Sequence, residues 1–274
     1  GTSLQTLTLT HSNGATFAAP VTVGTSVVLS NTVAGQTIRF ADNLSTPVLT
    51  TAANGYNVEL LGATTNVSAA NTATSFLNTG NLVLGNAAGD TLTFAGGLTA
   101  TAPTAVSAAG TLNTTNKALS LGDSNTALTL SDDLTINTTG GNLTLGGAVN
   151  GTTANTQSLT LNAGSTGAVS VLGGVGQSVA LKTLTLTNSF GAAFNSAVTT
   201  GTSVVLSNTV SGKTVSFAND LTTPVLTTTA NAYNVELLGS ATNISGTSAA
   251  TTFLNTGSLV LGNAASDTLT FAGG

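Results

Sequence analysis

Residues 1–97 of this 274-residue chain return as residues 178–274 at a constant offset of 177, with no insertion or deletion. Sixty-seven of the 97 aligned positions are identical. Thr6-Leu-Thr-Leu-Thr10 becomes Thr183-Leu-Thr-Leu-Thr187, and Phe76-Leu-Asn-Thr-Gly80 becomes Phe253-Leu-Asn-Thr-Gly257. A long repeat of fixed length fits an architecture in which each unit touches only its neighbours along one axis. The chain therefore divides into a first copy (1–97), the remainder of the 177-residue unit (98–177) and a second copy (178–274). No shift of composition marks a linker between them, so one continuous body is expected. Gly274 matches Gly97, after which the first copy runs on to Leu98, so the parent protein is expected to continue in both directions, or the ends to meet other copies.

Within the repeat, apolar residues alternate with polar ones at period two. Leu7-Thr-Leu9, Ile38-Arg-Phe40, Val58-Glu-Leu60, Leu92-Thr-Phe94, Leu143-Thr-Leu145 and Leu159-Thr-Leu161 each place apolar side chains on one face of a strand. The polar partner is usually Thr or Ser, and helical periodicity is nearly absent. Turn clusters such as Ser12-Asn-Gly14, Ala53-Asn-Gly55, Gly122-Asp-Ser-Asn125 and Asn162-Ala-Gly164 separate the short strands. Matching strands often lie about twenty residues apart, as Leu7 to Val27 and Ile38 to Val58, which suits one turn of a solenoid better than a meander of hairpins. Aromatics, which usually fill a sandwich core, are only 4% of residues, whereas Val, Leu, Ile and Ala stack well in a narrow interior. The expected fold is all-β, a single-stranded parallel β-helix (β-solenoid). At ~22 residues per turn it would have about a dozen turns and, at ~4.8 Å per turn, a length of roughly 55–60 Å. Turn lengths vary, and residues 63–75 with their copy 240–252 are the expected protruding loop.

Composition removes several function classes. Charged residues are 5% of the chain, against roughly 25% in ordinary soluble domains. The only permanent cations are Arg39, Lys117, Lys182 and Lys213, too few and too scattered for a nucleic-acid track or a polybasic membrane patch. No apolar run approaches the ~20 residues of a membrane helix. With no Cys there are no disulfides and no thiolate metal sites.

Residues 134–187 read Leu-Thr-Ile-Asn-Thr-Thr-Gly-Gly-Asn-Leu-Thr-Leu-Gly-Gly-Ala-Val, then Gln157-Ser-Leu-Thr-Leu-Asn-Ala-Gly164, then Ala168-Val-Ser-Val-Leu-Gly-Gly-Val175, then Leu181-Lys-Thr-Leu-Thr-Leu-Thr187. This text resembles the β-strand repeats of giant bacterial surface and secreted proteins of the filamentous-haemagglutinin-like and autotransporter-like group. The resemblance covers essentially the whole chain, in style rather than through a diagnostic motif. It implies a right-handed helix, a place outside the cell or on its surface, and a role as filament, sheath or adhesin stalk. It carries no catalytic residue over to this chain.

The candidate chemistry is sparse. His11 is the only imidazole, and its counterpart is Asn188. The acids are Asp42, Glu59, Asp90, Asp123, Asp132, Asp133, Asp220, Glu236 and Asp267. Adjacent Asp132 and Asp133 are the only local pair, and strand alternation would point them to opposite faces. Glu59 and Glu236 are expected at exposed mid-strand positions. Gly85-Asn-Ala-Ala-Gly-Asp90-Thr-Leu-Thr93 is similar to a calcium-roll nonapeptide but lacks the leading glycines and a tandem successor. Thr-x-Thr runs (Thr6-x-Thr8, Thr91-x-Thr93, Thr183-x-Thr185, Thr268-x-Thr270) resemble those of ice-binding solenoids. They lie tens of residues apart on turns of unequal length, so they are not expected to stack. Asn-x-Ser/Thr at Asn43, Asn66, Asn113, Asn137, Asn142, Asn150 and Asn243 is expected by chance in so Asn- and Thr-rich a chain. The reading is a structural segment that partners copies of itself, with no catalytic, cofactor or metal site. The alternative is a passive stalk whose adhesive domain lies elsewhere.

Overall fold

The computed structural model describes residues 4–274. Among these residues the fold is all-β with no helix, and its parallel strands stack as a β-solenoid of about 12 turns. Strands lie on three faces, met in the same order along the chain, although the last turn has no strand on the third face between Ala241–Ile244 and Leu259–Leu261. The first face carries Leu4–Leu9, then residues 26–29 and Val48–Thr51. It continues as nine paired strands from Thr74–Ser75 to Leu259–Leu261. Between Val48–Thr51 and Thr74–Ser75 the link runs through the Thr51 hydroxyl, which donates to Ser75 O and accepts from Leu77 N. The second face begins with Ala15–Phe17, Thr37–Phe40 and Asn57–Leu60, and the third includes Leu44–Thr46, Thr64–Val67 and Thr91–Phe94. Long strands such as Val106–Asn113 and Leu128–Asn137 turn a corner and pair on both the second and third faces. Leu7 pairs Val27 and Ile38 pairs Val58, the two partnerships that the twenty-residue spacing suggests.

The alternation explains the burial. Each strand turns one side chain of two inward, giving a single continuous core of Val, Leu, Ile and Ala with a few aromatics. Phe17 stacks on Phe40 at 4.8 Å between ring centroids, and their repeat counterparts Phe194 and Phe217 stack at 4.7 Å. Such stacking follows directly from in-register parallel pairing, which sets identical side chains one above the other.

The two copies do not occupy the same faces. From Ala15 the pairing runs through Ile38, Val58, Leu82, Val106, Leu128, Val149 and Val175 to Val198. Val198 is the counterpart of Val21, not of Ala15. Ala192, which is the counterpart of Ala15, lies on the first face, between Val169 and Val215. Eight turns carry Ala15 to Val198, and Ala192 precedes Val198 by one face, so the 177-residue repeat spans seven and two-thirds turns. The average turn is therefore slightly longer than the sequence suggests. The stacked aromatic pairs accordingly move from the second face to the first.

Turn length varies along that line, from the short step between Ile38 and Val58 to the longer one between Val149 and Val175. Pairing stays in register because the excess is placed at corners. The expected loop at 63–75 is shorter than that span: Thr64–Val67 and Thr74–Ser75 are strands, and only residues 68–73 leave the ladder. In the second copy Ala241–Ile244 is likewise a strand. Unequal turn lengths therefore do not prevent outward side chains from stacking, although the Thr-x-Thr runs themselves lie on different faces or several turns apart and do not stack on one another, as their scatter suggests.

Candidate functional site

With inward side chains committed to the core, any activity must come from the outward rows and the corners. The corners are laced by amides. Asn31 Nδ2 donates to His11 Nε2 at 2.9 Å, and Asn54 Nδ2 donates to Asn31 Oδ1 at 3.1 Å. The second copy repeats this with Asn208 Nδ2 on Asn188 Oδ1 (2.7 Å) and Asn231 Nδ2 on Asn208 Oδ1 (2.9 Å). His11 thus ends an asparagine ladder, its ring nitrogen standing where the Asn188 amide oxygen stands in the other copy. Beside each ladder the hydroxyls of Ser12 and Thr32, and of Ser189 and Thr209, bond along the same axis.

Seven of the nine acids hold main-chain N–H groups. Asp90 Oδ2 accepts from Asn86 N and Ala87 N (2.8 and 3.0 Å), and Asp267 Oδ2 does the same for Asn263 N and Ala264 N. Asp123 Oδ1 accepts from Asn125 N, and Asp42 Oδ1 from Asn43 N. Asn43 Oδ1 in turn accepts from Thr64 N; in the second copy Asn219 and Asp220 exchange residue types and keep both bonds. The carboxylate and the amide oxygen are interchangeable here because each serves only as an acceptor.

Asp132 and Asp133 do not point to opposite faces. The register jumps from Ala108↔Leu130 to Gly110↔Leu134, so residues 131–133 form an outward corner and both acids are accessible. Asp132 Oδ2 accepts from Ala88 N at 3.1 Å, and Asp133 Oδ1 from Ser158 N at 2.7 Å, so the two reach in opposite directions along the rod. Asp90 and Asp132 thereby converge on the turn at 86–88, a pairing that linear spacing does not suggest. Glu59 is mid-strand as expected, but it is paired: Arg39 Nε donates to Glu59 Oε2 at 2.6 Å, the one ion pair among the described residues. Its counterpart Glu236 faces Ser216 instead.

Two surface grooves hold one carboxylate each. A groove of about 390 Å³ lies beside Glu236, Ser216 and Phe190, with Lys213 Nζ 4.0 Å over the Phe190 ring. Another, of about 540 Å³, is lined by Asp123, Thr144, Gly147 and Leu172. Among the described residues no three of His, Cys, Asp and Glu come together as a metal site. Of the Asn-x-Ser/Thr asparagines, Asn43, Asn142 and Asn150 act as rungs between turns: Asn43 Oδ1 accepts from Thr64 N, Asn142 Oδ1 from Ala168 N, and Asn150 Oδ1 from Ser178 N, whereas Asn137 Oδ1 accepts from Thr139 N within its own turn. The Thr-x-Thr runs fall on all three faces: Thr6 and Thr8 on the first, Thr268 and Thr270 on the second, and Thr91, Thr93, Thr183 and Thr185 on the third.

Among the described residues no helix is long and apolar enough to cross a membrane. Comparison with protein-family models, with curated proteins and with solved structures gave no match to this chain.

Proposed function

We propose that this chain is a structural segment of a long repetitive protein outside the cell or on its surface, forming a rod that builds a filament, sheath or layer with copies of itself. The observation that supports it is the repeat, whose second copy carries on the parallel pairing across the junction between the copies, so that the unit can be extended without new kinds of contact. Few charges leave little repulsion between like rods. The acids support the turns rather than a reaction, which favours a non-enzymatic role. Light scattering over a concentration series, with micrographs of the same samples, tests the reading. Concentration-dependent growth and ordered particles are expected. Monomers at high concentration with no order in micrographs would end it and leave the stalk of an adhesin, with its binding domain elsewhere.

A further inference from the structure

The third face carries an array that the filament reading does not use. Thr64, Thr91, Thr111, Thr135, Thr160 and Thr185 stand on six consecutive turns, each the direct parallel partner of the next. Two residues further along the same strands, Asn66, Thr93, Asn113, Asn137 and Asn162 make a second row in register with the first. On the sixth turn a one-residue bulge sets Asn188 opposite Asn162. The residues between the rows, Thr65, Leu92, Leu112, Ile136, Leu161 and Leu186, are buried, so both rows point outward.

The rows form a two-dimensional lattice, spaced about 4.8 Å from turn to turn and about 6.6 Å along each strand. Neither row contains a charged or an aromatic residue. Corner threonines spend their hydroxyls on main-chain carbonyls, as Thr114 on Lys117 O and Thr126 on Pro103 O. Among the described residues the six threonines of the first row make no such bond, and none of their hydroxyls is a buried unpaired atom. They face solvent on β-branched side chains with little rotamer freedom to lose.

We propose that this face binds ice. Hydroxyl, methyl and amide groups fixed at regular intervals order the first water layer at the spacing of the array. That spacing is close to the oxygen repeat of hexagonal ice, so the ordered layer can merge with a growing crystal face. Charged groups, which hold water in a different arrangement, are missing from the rows. So are the aromatic rings that would stack on the sugars of a crystalline polysaccharide. The rows also offer little apolar area for a second rod to bury.

The test is partition of the purified chain into slowly grown polycrystalline ice, with the shape of single ice crystals as a second readout. Thr135→Tyr places a ring in the middle of the array, and Thr222→Tyr does so on the exposed second face as a control. The wild type and Thr222→Tyr should enter the ice and facet crystals. Thr135→Tyr should lose both effects while unfolding at the same temperature as the wild type. If Thr135→Tyr does not fold, Asn137→Lys serves in its place. A wild type left behind in the liquid, or a Thr135→Tyr protein that enters ice as well as the wild type, overturns the proposal. Binding to microcrystalline cellulose that Thr135→Tyr abolishes, without entry into ice, also overturns it and reassigns the face to polysaccharide. A chain that is monomeric yet enters ice supports this proposal while ending the filament reading.

Discussion

Asp132 Oδ2 accepts a hydrogen bond from the main-chain N–H of Ala88, 3.1 Å away and 44 residues earlier in the chain. The reach passes over an entire intervening turn, whose corner at Ala109 is a single residue opposite residues 131–133. Asp90 supports the same turn from its other side through Asn86 N and Ala87 N. The projecting segment 85–90 is thus held by its own turn and by one two turns away.

Removing that outer support should loosen the segment without unfolding the rod. Asp132→Ala should cost about 0.5–1.5 kcal/mol, the ordinary net worth of a hydrogen bond. Amide exchange at Ala88 should accelerate while exchange at Leu92 stays slow. Unchanged exchange at Ala88 would show that Asp90 alone fixes the turn.

Gly110 and Gly35 separate two costs of a side chain at a left-handed position. Both have positive φ, 80° and 78°. A Cβ on Gly110 would lie 2.3 Å from Asp90 O, whereas one on Gly35 meets nothing within 4 Å. Gly35→Ala should cost only the backbone strain, about 1 kcal/mol, and Gly110→Ala several kcal/mol, since the Asp90 carbonyl must move. Chemical denaturation of the two variants checks the order.

Leu161 is fully buried in the middle of the rod, between Ile136 and Leu186. Leu161→Ala should cost about 2–5 kcal/mol through lost burial and the cavity left behind. In a structure stacked in one dimension the damage is local. Hydrogen exchange should therefore rise around residues 136–186 and remain low near Leu29 and Leu237.

Tyr56 gives the rod a sensitivity to alkali. Its hydroxyl donates to Leu29 O at 2.8 Å and accepts from Ala52 N at 2.9 Å. Burial pushes its pKa above the ordinary tyrosine value. The folded chain therefore holds the phenolic proton more tightly than the unfolded chain. That contribution to stability is complete below about pH 10, the unfolded value, and is lost as pH rises through the folded pKa. The melting temperature should fall above about pH 10. Tyr56→Phe should fall less steeply from a start lower by about 0.5–1.5 kcal/mol, the ordinary net worth of a hydrogen bond, since Ala52 N and Leu29 O keep the bond they make to each other.

The solenoid was legible because its signal is local and repeated: Leu7 with Val27 and Ile38 with Val58 can be paired by counting along the chain at one fixed step. The surface was not. Thr111, Thr135 and Thr160 are unevenly spaced in the sequence, and only the corner lengths reveal that they are neighbours. Alternation failed at Asp132 and Asp133 because a corner inside one long strand interrupts the pleat. The asparagines at 31, 54, 208 and 231 look like generic turn residues until stacking aligns them.

The incomplete last turn of the repeat has a consequence for any rod extended by the same unit. Thr268 and Thr270, counterparts of Thr91 and Thr93, stand on the second face, not the third. Each further unit would set its threonine rows another third of the circumference around, and three units, a whole number of turns, would restore the starting orientation. Such a rod carries its pattern as a screw thread. Pressed against one flat surface it would engage only one unit in three, leaving the others free to grip bodies lying in two further directions.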